Sequence, residues 1–263
     1  MSALVLDGGV VHYEYFGRGR PLVFIHGWLG SWRYWVPAMD ELSETKRVYA
    51  FDLWGFGDSD KSRARYTVDS YVELLHAFID ELGVLGQVPL VGHALGATIA
   101  VSFAHEYPEY VDRVMAVGLP LVGTSINRRF LTGGSGGFLD RVLGRSPTAG
   151  YEQVEQEANR ASPDAINQSV QSVMSIDLRP VIASLQVPLL VLYGENDNVV
   201  TPASAQDFAG LRESVRMMIM PEARHFPMLD RSSQFNRLLL DFLECGDDLS
   251  GLELKEEWQR RVR

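Results

Sequence analysis

The sequence holds one cysteine, Cys245, in 263 residues. No intramolecular disulfide can form, and no cysteine-based zinc pattern exists. Positive charge is also scarce: 24 Lys and Arg face 34 Asp and Glu, for a net charge of −10. No basic stripe breaks that balance, since Arg260, Arg261 and Arg263 are offset by Glu253, Glu256 and Glu257. This argues against nucleic acid as a partner. Long apolar runs are missing too. None approaches the roughly 18 residues of a membrane span, and the opening MSALVLDGGVVHYEYFG lacks the basic start and apolar centre of a signal peptide. The expectation is a cytoplasmic protein with no membrane partner, a monomer or homodimer. No G-x-G-x-x-G follows a strand pattern and metal-ligating residues do not cluster, so neither cofactor nor metal is expected. What remains is an ordinary globular composition, 46% hydrophobic and 22% charged.

The order of apolar patterns is informative. Two alternating runs, residues 3–6 and 10–16, flank Asp7-Gly8-Gly9 and read as a β-hairpin. Buried strands follow at 21–26 (PLVFIH), 47–52 (RVYAFD), 88–92 and 113–118, and later at 188–193 and 215–220. Helices are expected between them at 35–42, 95–107, 203–210 and 232–243. Another is marked by the stripe Tyr71, Leu74, Leu75, Phe78, Ile79 and Leu82, with Gly83 just past its end. A hairpin followed by strand–helix alternation argues for an α/β fold with a mainly parallel sheet and helices on both faces. Ligands in such sheets bind at the carboxyl ends of the strands.

Residues 121–177 break the rhythm. They contain a glycine-rich piece, Gly133 to Gly137, and polar helix candidates at 151–159 and 164–175. The expected division is a core of 1–120 and 178–245, a helical cap or lid of 121–177, and a charged tail of 246–263. The Gly133–Gly137 segment is the expected mobile part of the lid, because four glycines in five residues hold no single conformation cheaply.

Val91-Gly92-His93-Ala94-Leu95-Gly96 joins a predicted strand to a predicted helix. With Ser at position 94 it would be a G-x-S-x-G nucleophile elbow, whose glycines allow close strand–helix packing around a strained turn. From this point the chain resembles the α/β-hydrolase family, over about Leu22 to Phe242. Phe24-Ile25-His26-Gly27-Trp28 is similar to that family's HG loop, and Asp52-Leu53-Trp54-Gly55-Phe56-Gly57-Asp58-Ser59 to its D-x-x-G-x-G-x-S loop. Gly194-Glu195-Asn196-Asp197 stands where the family keeps its acid, and Ala223-Arg224-His225-Phe226 where it keeps its base.

The resemblance implies an eight-stranded α/β-hydrolase sheet. It also implies a catalytic set of position 94, Asp197 and His225, with the Trp28 and Leu95 amides as oxyanion hole. Glu195 is the rival acid, Asp230 is expected to cap the following helix, and His93 to point away from the crevice. His26 and the Asp52 loop are expected to be structural.

Ala94 carries no heteroatom, so the set is complete except for its nucleophile. One account is a serine hydrolase of carboxylic esters, lactones or thioesters whose Ser has become Ala, a change that traps bound substrate. A second is a natural non-catalytic binder using the same pocket. A third is an Asp-nucleophile dehalogenase or epoxide hydrolase that has lost its carboxylate. The first is favoured because every other part is retained. Trp28, Phe130, Phe138, Leu139 and Met174 are the candidate substrate contacts, the cap supplying Phe130, Leu131, Phe138, Leu139 and Met174 as pocket walls with Trp28, Trp32 and Trp35 opposite.

Overall fold

A computed structural model describes residues 2–63, 65–84, 86–127 and 149–255. The Gly133–Gly137 segment, Phe130, Leu131, Phe138 and Leu139 lie outside the described residues.

Strands β1 (Ser2–Leu6) and β2 (Gly9–Gly17) form the expected hairpin, with Asp7 and Gly8 both at positive φ in its turn. They join β3 (Arg20–Ile25), β4 (Lys46–Phe51), β5 (Val88–His93), β6 (Val111–Val117), β7 (Leu189–Gly194) and β8 (Val215–Met220). The eight strands run in the order β1-β2-β4-β3-β5-β6-β7-β8. Only the pairings of β2 with β1 and β4 are antiparallel. The order reverses around β3, the first strand of the parallel block. A crevice at the carboxyl ends of β3 and β5 is therefore the expected ligand position.

Helices α1 (Val36–Leu42), α2 (Val68–Glu81) and α3 (Leu95–Glu106) fill the first crossovers. The α2 helix forms where its stripe predicts. Thr67 and Ser70 cap its start reciprocally, its apolar face from Tyr71 to Ile79 is buried, and Gly83 at φ 61° follows its end. The α3 helix is buried on nearly all sides, and small residues permit that. A Cβ on Gly96 would meet the Ile25 carbonyl at 2.2 Å, and one on Gly92 the Gly96 carbonyl at 2.2 Å.

Between β6 and β7 lie α4 (Ala149–Arg160), α5 (Pro163–Met174) and α6 (Arg179–Ser184). Helix α5 packs on α2 and α3, and Ser162 at its start donates to the Gly55 carbonyl at 2.7 Å. Helices α7 (Pro227–Asp230) and α8 (Ser232–Glu244) close the chain's core. No helix among the described residues is long and apolar enough to cross a membrane.

Three expectations need correction. Residues 203–210 form only a 3-10 turn, Ala205–Phe208. The segment is largely exposed and rests on the core mainly through Ala203 and Phe208, while the Asp207 carboxylate folds back on Ser204 and Gly210 turns at φ 77°. Trp35 is no pocket wall: its fully buried ring lies on Phe24 and Phe235, at 4.7 and 6.3 Å between centroids. Trp32 packs beside His12 and Phe16, at 6.0 and 6.5 Å.

The Asp52 loop is structural, as expected. Its buried carboxylate accepts from the Trp32 and Asp58 amides at 2.8 and 2.9 Å. A Cβ on Gly57 (φ 50°) would strike that carboxylate. Buried His12 sits 3.3 Å from Asp52 and 3.4 Å from Glu14. The Asp52 carboxylate raises the His12 ring above its ordinary value, against burial and with help from Asp58 and Glu14.

A raised histidine stabilises the fold fully below its unfolded value of about 6.5, and that contribution is lost as pH climbs through the folded value. The stability gap between the protein and His12→Phe should therefore be larger at about pH 5.5 than at about pH 9. Urea unfolding at the two pH values measures it, and a gap that widens with pH contradicts this assignment.

Candidate active site

The turn between β5 and α3 is held by one residue. Ala94 has φ 49° and ψ −108°, a conformation that non-glycine residues rarely adopt. Backbone of this kind costs about 1–3 kcal/mol and persists only where its surroundings enforce it. Here the Ala94 amide donates to Val117 at 2.8 Å and its carbonyl accepts from Thr98 at 3.1 Å. The residue is fully buried.

The loop after β3 lies directly against it. A Cβ on Gly27 would stand 3.1 Å from the Ala94 Cβ. Among the described residues, neither the Trp28 nor the Leu95 amide donates to any acceptor. Leu95 opens α3, so its free N–H is at the positive end of the helix, where developing negative charge is favoured. His26 shapes the loop: Nδ1 donates to the Gly27 carbonyl at 2.8 Å and Nε2 accepts from the Leu53 amide at 2.9 Å. Burial lowers its pKa, which suits that neutral form. The Trp28 indole donates to Ser169 of α5 at 3.0 Å, tying the inserted helices to the same loop.

Asp197 follows β7 and His225 follows β8. One buried Asp197 oxygen accepts from the Val199 and Val200 amides at 2.8 and 3.0 Å, and the other meets His225 Nδ1 at 2.9 Å. The rival Glu195 and the nearby Asp230 are both otherwise engaged. Glu195 accepts from the Glu222 amide at 2.9 Å. Asp230 does not cap α8, contrary to expectation. It accepts from the Arg224 amide (2.8 Å), the Arg224 guanidinium (2.9 Å) and the Tyr151 hydroxyl of α4 (2.8 Å). Gly118, at φ 58° after β6, is packed against the Asp197–His225 pair: a Cβ there would come 3.3 Å from His225 Cε1 and 3.6 Å from Asp197 Oδ2.

His93 is buried, its ring 4.6 Å from the His225 ring, centroid to centroid. It bonds the His225 carbonyl through Nε2 at 2.9 Å and the Tyr34 hydroxyl through Nδ1 at 3.2 Å. Tyr34 in turn accepts from the Gly27 amide at 2.6 Å. Sequence reading missed Tyr34 altogether. Its only signal is that it follows His26-Gly27 on a short aromatic-rich stretch.

The remaining candidates are less central. Met174 is half-buried at the end of α5, its backbone against Gly123. His12, Asp52 and Asp58 form the one group among the described residues compact enough for a metal ion. Their oxygens are already committed, Asp52 to two amides and Asp58 to the guanidiniums of Arg33 and Arg160. Burial alone would raise the Asp58 carboxyl, but the two arginines outweigh it and hold it at about 2. With two cations beside it, this group suits an ion cluster rather than a metal site.

The alpha/beta hydrolase fold family matches residues 20–164, more than half of the chain. A 2-hydroxy-6-oxo-6-(2'-aminophenyl)hexa-2,4-dienoic acid hydrolase of Metapseudomonas resinovorans is 26% identical, covering 95% of this chain and 93% of its own. A pimeloyl-[acyl-carrier protein] methyl ester esterase of Aeromonas hydrophila is also 26% identical, over 89% of this chain and 99% of its own. Among solved structures, the enol-lactonase of Burkholderia xenovorans superposes with a TM-score of 0.80 at 22% identity, covering 92% of this chain and 99% of that one.

Proposed function

The chain belongs to the α/β hydrolase fold family, and from that premise we propose that its site is that of a carboxylic ester hydrolase in which Ala94 occupies the nucleophile's place. The observation that supports it is the buried Asp197–His225 pair at 2.9 Å, alongside the strained backbone of residue 94 and the unengaged Trp28 and Leu95 amides.

In this reading a hydroxyl at position 94 attacks the substrate carbonyl while His225 takes its proton. Asp197 fixes the imidazole with its proton on Nδ1 and stabilises the imidazolium. The Trp28 and Leu95 amides receive the negative charge that develops on the carbonyl oxygen. His225 then gives its proton to the leaving alcohol, and water releases the acyl group by the same path reversed. With Ala94 in place no acyl-enzyme forms, and the chain binds its substrate without cleaving it.

The inserted helices α4 and α5 cap this crevice, with Trp28 and Met174 as substrate contacts. The substrate is a small ester, lactone or thioester, consistent with the methyl ester esterase and enol-lactonase among the similar proteins.

A panel of short activated esters, lactones and thioesters tests the reading. The chain itself should bind members of the panel without turnover, and Ala94→Ser should hydrolyse them. A folded Ala94→Ser protein inert to the whole panel, yet still binding its members, would favour the non-catalytic binder instead.

A further inference from the structure

Three loops from three different strands must hold their places for the proposed chemistry: the Gly27 loop after β3, the turn at Ala94 after β5 and the His225 loop after β8. A continuous line of buried hydrogen bonds crosses all three. The Gly27 amide donates to the Tyr34 hydroxyl oxygen at 2.6 Å. The Tyr34 hydroxyl meets His93 Nδ1 at 3.2 Å, and His93 Nε2 meets the His225 carbonyl at 2.9 Å. Tyr34 is 2% exposed and His93 1%.

The polarity of the line can be worked out from its ends. The His225 carbonyl only accepts, so His93 Nε2 carries a proton. Burial first, and the neighbouring His225 second, push His93 well below its ordinary value, so the ring is neutral and with its proton on Nε2 its Nδ1 is bare. The Tyr34 oxygen accepts from Gly27, and its single proton is directed to that bare Nδ1. His93 neutral with its proton on Nε2 thus satisfies all three bonds. Phe226 closes the box, with its ring 4.8 Å from His93, 5.2 Å from His225 and 5.7 Å from Tyr34.

We infer that Tyr34 and His93 are positioning residues, a proton-ordered strut that sets the His225 backbone against the Gly27–Trp28 loop. Neither touches the reacting atoms. The Gly27 end precedes the Trp28 amide by one peptide, so the strut fixes one oxyanion donor and the base from a common element. A purely packing role would need the two rings but not the Tyr34 hydroxyl. The inference rests on the proposed hydrolase site for its catalytic consequence, but not for its geometry.

The test has two arms. In the chain as it stands, nitrogen NMR should find His93 with Nε2 protonated and Nδ1 bare throughout about pH 5–9. A proton on Nδ1 overturns the inference without any assay. The second arm is Tyr34→Phe, which keeps the ring and removes one oxygen. With the bond to Nδ1 gone, His93 should keep its Nε2 proton on the His225 carbonyl while the bare Nδ1 signal shifts, and the His225 ring signals should move. Placed on Ala94→Ser, the same change should lower kcat about tenfold while KM stays within about twofold. Unchanged His225 signals and unchanged kcat would overturn the strut. If Ala94→Ser proves inactive on every ester, the hydrolase reading fails, and the NMR signals alone still decide the strut.

Discussion

Ala94→Ser should raise ester hydrolysis over the parent chain by several orders of magnitude rather than by a factor of two or three. Removal of the nucleophile from an intact Ser–His–Asp set costs about 10⁶-fold in kcat, and the remaining groups keep a residual of about 10³–10⁴ over water. Restoration should recover much of that span if, as proposed, Asp197, His225 and the Trp28 and Leu95 amides serve residue 94. The backbone there is already turned to φ 49° with a Cβ present, so the substitution adds one oxygen and no new backbone strain. Matched thermal melts should differ little, and steady-state rates on short activated esters give the gain. The gain should disappear in Ala94→Ser combined with His225→Ala. Turnover that appears only with Ala94→Asp, on haloalkanes or epoxides, would assign the site to the Asp-nucleophile branch.

A second large effect is expected at Asp197. In the Ala94→Ser protein, Asp197→Asn should lower kcat by about 10⁴-fold with the fold intact. The reason lies in what the carboxylate holds. One oxygen accepts from the Val199 and Val200 amides, and the other faces His225 Nδ1. An amide has only one oxygen, and two backbone N–H groups claim it. Its NH₂ group is then left against Nδ1, where it drives the proton to Nε2, and a ring protonated on Nε2 cannot take a proton from a hydroxyl at position 94. Glu195→Gln should change kcat by less than about threefold, since Glu195 is spent on the Glu222 amide. Comparable losses from both substitutions would place the acid elsewhere.

What the sequence made legible were the features that backbone geometry forces onto residue types. Gly92 and Gly96 could be read because any side chain there strikes a neighbouring carbonyl. The helix stripe from Tyr71 to Ile79 could be read because one face of α2 is buried. Asp197 and His225 could be placed because each follows a strand in the order a sheet of this connection requires.

Less legible was whatever depends on which side chains meet across the fold. Asp230 sits five residues after His225 and looks like a helix cap in sequence. Its partners Arg224 and Tyr151 come together only when α4 packs over the His225 loop. Trp35 reads equally well as a pocket wall or a core residue, and packing between Phe24 and Phe235 decides it. His93 meets the Tyr34 hydroxyl, a partner that its own motif does not contain.

The central claim is that this site lacks one hydroxyl and nothing else for acyl transfer. A fluorophosphonate tests that claim most directly, because it reports the nucleophile, base and oxyanion donors together without requiring the natural substrate. Intact-protein mass spectrometry after treatment should show no adduct on the parent chain and one adduct on Ala94→Ser, mapped by peptide analysis to position 94. The adduct should form far more slowly when His225→Ala is added. A folded Ala94→Ser protein that takes up no probe, or that is labelled elsewhere at the rate of the parent, would contradict the account.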